Sequence, residues 1–250
     1  MNANYQAAAQ HFPDPFRLLI RDSVDSTNDS LRDLARDGAP HGLVLLAREQ
    51  RRGRGRRGNT WSAPAGENLT FSVLLRPEQS KPLWPRLALA SGLALAEALE
   101  SYGLQAGIKW PNDVWIGMRK VAGILVEAGE DFVIVGIGIN VGTTKFPPEI
   151  AATATSLQLA MGTAPACEEV LCGFIQRFAI RQGGIDADFP GLVEAIKQRC
   201  VLSGERVMLQ TSSGPKSGVV KGIGSGGELL LDTPDGTESL IQADEVRIIS

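Results

Sequence analysis

Six arginines crowd the ten positions from Arg48 to Arg57, interleaved with Gly53 and Gly55 and followed by Gly58. Arginine carries a planar fork of donors that matches carboxylate and phosphate oxygens, and closely spaced glycines let backbone N–H groups approach an anion. With Gln50 before it and Trp61 after it, such a loop suits a small molecule bearing both kinds of oxygen. A second cluster, Lys109-Trp110-Pro111-Asn112-Asp113, is followed by Lys120 across what reads as one hairpin. Two ammonium groups and a carboxylate would then meet at one end of a sheet, enough to hold a triphosphate and its Mg2+. Ser26-Thr27-Asn28 adds hydroxyls and an amide ahead of a helical pattern.

Taken singly, each of these has a plainer reading. Lysines are ordinarily solvated, Asn112 and Asp113 ordinarily form turns, and an isolated arginine-glycine stretch reads as a basic solvated segment or an RNA-binding tract. This stretch, however, is short, unrepeated and bracketed by two apolar strand patterns. Fixing ten residues costs about 1 to 2 kcal/mol each in backbone entropy. Each charged hydrogen bond to an anion returns roughly 1.5 to 3 kcal/mol. The loop is therefore expected to be mobile when empty and to close on its ligand, shielding a reactive intermediate from water.

Other chemistries find less support. The run Val133 to Gly142 contains Gly136 and Gly138, but the glycines lie inside a strand pattern with no helix after them, so no dinucleotide fingerprint is read. They are expected to admit a ligand or another backbone, with Asn140 offering an amide at the strand's end. His11 and His41 are the only histidines and have no ligand or triad neighbour in sequence. Cys167, Cys172 and Cys200 show no CxxC spacing and read as structural thiols of a reducing cytosol. A net charge of −3 argues against a whole surface given to nucleic acid. No signal peptide or membrane span is read, so a cytoplasmic protein with no membrane partner is expected.

The elements that must position these groups form an α+β pattern. A helix is expected from Leu31, Leu34 and Ala35, closed by Gly38 and Pro40. Strands are expected at Leu43 to Ala47 and, alternating, at Leu69 to Leu75. A long helix with small residues at Ala88, Ser91 and Gly92 runs from Leu87 to Gly103. Four short strands follow at Ile108–Trp110, Val114–Ile116, Val121–Glu127 and Phe132–Val141, spaced as antiparallel hairpins. Free edges near Phe132 to Val141 leave room for a homodimer. Two helices through Phe174 and Ile196 come next, and five short strands in residues 204–249 form a small barrel or sandwich. Domains are placed at 1–202 and 203–250.

Asp25-Ser26-Thr27-Asn28, Gln50 with Gly53 to Gly58 and Trp61, Lys109 to Asp113, Lys120 to Glu127 and Gly136 to Asn140, in this order, resemble the biotin protein ligases. That resemblance implies a class II synthetase-like catalytic domain, with a mixed or antiparallel sheet and packed helices, and a C-terminal SH3-like barrel. It implies that biotin and MgATP give biotinyl-5'-AMP, from which a lysine of a biotin carboxyl carrier protein takes the acyl group. Lys120 and Arg56 would be catalytic. Ser26, Thr27, Asn28, Gln50, Arg54, Gly55 and Trp61 would surround biotin or its adenylate, Lys109 and Asn112 would contact ATP or its metal, and Asn140 the adenine side. ATP and Mg2+ are the implied cofactors, with no metal site of the protein's own. About two dozen residues precede Asp25, too few for the winged DNA-binding domain of some relatives, so a ligase without nucleic-acid partners is expected. Arg51 and Arg52 exceed what an adenylate needs. A lipoate ligase or octanoyltransferase of related fold is the nearest alternative, and a basic-loop nucleic-acid module the alternative of another class.

Overall fold

A computed structural model describes residues 2–61, 66–211, 214–241, 243 and 245–249. Its main layer is a seven-stranded mixed sheet made of β1 (Arg17–Val24), β2 (Leu43–Gln50), β3 (Leu69–Leu75), β4 (Ala106–Lys109), β5 (Asp113–Ile116), β6 (Arg119–Ala128) and β7 (Val133–Ile139). The spatial order is β1-β2-β3-β7-β6-β5-β4. Among the described strands only β1 and β2 pair in parallel, which requires a crossover. Helix α2 (Thr27–Arg36) supplies it. Ser26 caps α2 by accepting from the Asp29 N–H at 3.5 Å, and Gly38, at φ 88°, ends it in the left-handed region.

Both faces of the sheet are covered. On one lie α3 (Arg86–Glu100), α5 (Cys167–Ala187) and α6 (Phe189–Lys197), with α1 (Asn2–Ala9) against α5. Gly92 of α3 lies close enough to the sheet that an added Cβ would touch Ile124 and Ile108 at 3.7 and 3.8 Å, as its small residues foretold. Phe71 of β3 meets Phe174 of α5 edge-on at 5.3 Å, and Phe174 stacks on Phe178. On the other face α2 buries Leu31 and Ala35 against Leu45, Leu74 and Ile134. Double coverage explains why β3 and β7 are buried at every position rather than every second one.

One sequence expectation changes here, and three elements had gone unread. The region Phe132 to Val141 holds no free edge, because β7 pairs with β3 on one side and β6 on the other. The sheet's outer strands are β1 and β4, and the chain at Arg199 to Val201 already bonds to Ile108 of β4. Strand β1 escaped the sequence reading because its exposed edge position leaves no clean alternation. Helix α1 was likewise not foreseen, nor was the short α4 (Leu157–Met161).

After Cys200 the chain builds a second, antiparallel sheet from β8 (Arg206–Thr211), β9 (Gly214–Ile223), β10 (Leu229–Thr233), β11 (Gly236–Leu240) and β12 (Glu245–Ile248), in the order β11-β10-β9-β8-β12. Five strands were expected, and five are found among the described residues. Its inward residues, Val207, Leu209, Val220 and Leu231, join the same apolar cluster as α3 and α6. Trp110 ties the two sheets by donating its Nε1–H to the Gly227 carbonyl at 3.0 Å.

Candidate active site

The α2 face of the main sheet is not covered along its whole length. Beyond the N-terminus of α2 it forms the floor of a cleft of about 430 Å³. Register builds that floor in rows. Ser72 of β3, Gly136 of β7 and Leu125 of β6 are neighbours across three strands, and so are Thr70, Gly138 and Gly123. The glycines clear space for side chains from above. A Cβ at Gly136 would collide with Asn28, and one at Gly138 with the indole of Trp61. The close approach expected at these glycines is therefore made by side chains rather than by another backbone.

Over the floor, α2 presents a hydrogen-bonded cluster. Gln50 accepts through Oε1 from the Thr27 N–H at 2.8 Å and from its hydroxyl at 3.0 Å. The Ser72 hydroxyl lies 2.7 Å from Thr27 Oγ1 and 2.6 Å from Asn28 Oδ1, and its single proton serves one of them at a time. Asn28 donates through Nδ2 to Glu127 Oε2 at 2.7 Å and, more loosely, to the Leu125 carbonyl at 3.4 Å. Its amide is thus committed to protein partners on both ends. Thr27 and Ser26 offer hydroxyl oxygens at the cleft wall.

The arginine-glycine segment is a small hairpin. Arg54 bridges Thr60 in antiparallel fashion, Gly55 N–H donates to the Asn59 carbonyl at 2.7 Å, and Arg56 to Gly58 make the turn as a 3-10 helix. Trp61 returns the chain across Gly138, and its Nε1 is buried with no hydrogen-bond partner among the described residues. Arg56 donates to Asn112 Oδ1 at 3.1 Å and to the carbonyl of Ala243, between the last two strands of the second sheet, at 2.9 Å. Arg54 turns the other way, to Asp29 and Glu127 at 2.7 and 2.9 Å. The side chain expected to surround biotin or its adenylate is in ion pairs with carboxylates.

The lysines stand opposite. Between Lys109 and Lys120 the chain makes two turns around β5, not the single hairpin expected, yet both side chains reach the cleft. Lys120 pairs with Asp113 at 2.8 Å and lies 5.7 Å from the centre of the Trp61 ring. Lys109 sits 4.7 Å over Trp115. Of the site residues read from sequence, Ser26, Thr27, Asn28, Gln50, Arg54, Gly55, Arg56, Trp61, Lys109, Asn112 and Lys120 all line the cleft. Asn140 does not: it is buried, and its Nδ2 donates to the Thr155 carbonyl at 3.0 Å. Sequence reasoning overlooked Ser72, Thr70, Asp29 and Glu127. The polar alternates of an otherwise apolar β3 were the available signal for the first two. Among the described residues no cysteine lines the cleft, and burial pushes the Cys167 and Cys172 thiols above their usual range.

Sheet, floor and arginine hairpin together enclose a cleft lined by cationic and hydrogen-bonding side chains, the arrangement of an enzyme site. The model of the Biotin/lipoate A/B protein ligase family matches residues 20–143. The chain is 37% identical to the biotin--[acetyl-CoA-carboxylase] ligase of Paracoccus denitrificans, over 89% of this chain and 97% of that one. It is 33% identical to the bifunctional ligase/repressor BirA of Bacillus subtilis, over 91% of this chain and 73% of that one. Among solved structures, the biotin protein ligase of Aquifex aeolicus in complex with biotin and ATP superposes with a TM-score of 0.86 at 32% identity, covering 93% of this chain and 99% of the other. The chain belongs to the biotin protein ligases of this family.

Proposed function

We propose that this protein joins biotin to a lysine of a biotin carboxyl carrier protein, at the expense of MgATP. In the first step a biotin carboxylate oxygen attacks the α-phosphorus of ATP, and the bond to pyrophosphate breaks. In the second the neutral amine of the carrier lysine attacks the acyl carbon of biotinyl-5'-AMP. An amide forms, AMP leaves and the amine's surplus proton is released. The observation that carries this reading is the placing of the Thr27 and Ser26 hydroxyls, Lys120 and the arginine hairpin around one sheet face. The hydroxyls suit the N–H and C=O groups of a ureido ring. Lys120, held against Asp113, is positioned to stabilise charge growing on carboxylate and phosphate oxygens in a partly enclosed site.

Several finer assignments belong to the same proposal. Mg2+ arrives with ATP, and Asp113 is the carboxylate in the cleft nearest to that task. Lys109 and Asn112 face the nucleotide. Residues 203–250 act as a second domain that completes the cleft wall through Ala243 and Val246. No helix among the described residues is long and apolar enough to cross a membrane, in keeping with work in the cytoplasm on a soluble carrier. A homodimer would use a surface other than β7. Lipoate is the rival acid, while an octanoyltransferase would need a thiol in the cleft.

Incubating the protein with MgATP and labelled biotin or lipoate decides the acid. Biotinyl-5'-AMP is expected, and adenylate formed only with lipoate would overturn the substrate assigned.

A further inference from the structure

Arg54 closes a ring of charges that the catalytic reading does not use. Arg32 pairs with Asp29 at 2.6 Å and with Glu127 at 3.1 Å, while Arg54 pairs with the same two carboxylates at 2.7 and 2.9 Å. Signs alternate around the ring, so each carboxylate sees both arginines and the four charges cancel. Two members come from α2, one from β6 and one from the hairpin. The ring also reaches the cleft floor, because Glu127 Oε2, which receives Arg54, is the atom that receives the Asn28 amide at 2.7 Å. Arg54 stands at the hairpin's base, where it bridges Thr60, so holding its guanidinium sets the tilt of the whole turn. Asp29 and Arg32 do not line the cleft.

We propose that Arg54 is a positioning residue: Asp29, Arg32 and Glu127 latch the arginine-glycine hairpin onto α2 and β6 and couple its closure to the orientation of Asn28. The consequence for the reaction, retention of the adenylate, rests on the function proposed above, whereas the latch itself does not. All four side chains are partly exposed, Glu127 the least at 21% exposure. Mobile ions reach such pairs, so the latch weakens as salt rises.

The test uses the full chain and variants that leave the hairpin's own sequence intact, Asp29→Asn and Glu127→Gln, with thermal melts confirming that both fold. Tryptic cleavage within residues 48–57 is followed by mass spectrometry at low salt and at about 1 M NaCl. Both variants are expected to be cut at least threefold faster than the parent at low salt, with the gap closing at high salt. In Asp29→Asn, adenylate dissociation is expected to quicken at least threefold while the KM for ATP stays within twofold. Arg54→Lys, which keeps the charge but loses the fork, should fall between the parent and Arg54→Ala in adenylate retention. Equal cleavage of the parent and both variants would overturn the latch. So would a tenfold rise in the KM for ATP in Arg54→Lys with adenylate retention unchanged, which would assign Arg54 to phosphate binding. If the parent forms no adenylate, the function proposed above fails, and the cleavage rates alone decide the latch.

Discussion

The arrangement turns on a few atoms whose neighbours decide what they can do. Lys120 is held by Asp113 at one end of β6, with Gly123 leaving room for its ammonium at 3.1 Å from a notional Cβ. Losing one charge-stabilising donor at a reacting centre costs about 100- to 1000-fold in rate. Lys120→Ala should therefore lower biotin-dependent pyrophosphate exchange by about that factor while the melting temperature holds. Gly138 makes a different demand. A methyl group there would strike the Trp61 indole, and overpacking of this kind costs typically about 1 to 3 kcal/mol. Gly138→Ala should raise the KM for the acid more than it lowers kcat, alongside a lower melting temperature, and equal KM would show that Trp61 does not shape the pocket. Most of these residues could be read from sequence, because arginine-glycine and lysine-proline-asparagine runs carry their chemistry in their composition. Ser72 was signalled only by the polar alternation of β3, and Glu127 and Asp29 could not be read. The role of those two carboxylates arises when register and crossover bring β6 and α2 together, and nothing within a few residues of either announces that.

At the level of elements, the hairpin from Arg54 to Thr60 is held at its base by carboxylates and at its tip by Asn112 and the Ala243 carbonyl. Arg56→Gly removes both tip contacts and should release free adenylate faster than the parent. Retention equal to the parent's, measured by rapid filtration of labelled adenylate, would mean that the hairpin is not the lid. Helix α1 makes a second, unrelated case. Its Tyr5 is packed beside Cys167 of α5; burial, reinforced by the neighbouring thiol, raises the phenol above its usual 10.0, and burial raises the thiol above 9.0. Groups whose folded-state values are raised lend stability that is complete below the unfolded values and is lost as pH climbs towards the folded ones. Melting temperature should therefore fall as pH rises above about 9, and Tyr5→Phe should flatten that fall. An equally steep fall in Tyr5→Phe would place the alkaline loss elsewhere. Helix α2, α3 and the hairpins of β4 to β7 were legible because caps, small-residue stripes and turn residues act locally. Strand β1 was not, since an edge strand needs no alternation, and the central place of β7 depends on pairings with segments distant in sequence.

The whole molecule is a doubly covered mixed sheet with one part of one face left open, and a second sheet leaning on the opening. Continuity of the apolar core between the sheets keeps Ala243 and Val246 beside the cleft. On the function proposed, one surface thereby gathers groups for an acid, a triphosphate and an incoming amine, and would keep the activated acid under the arginine hairpin until the amine arrives. Mass spectrometry of a biotin carboxyl carrier domain incubated with this protein, biotin and MgATP tests that most directly. The predicted result is one biotin adduct on one lysine, dependent on both small molecules. An unmodified carrier, with ATP and biotin both left intact, would contradict the account.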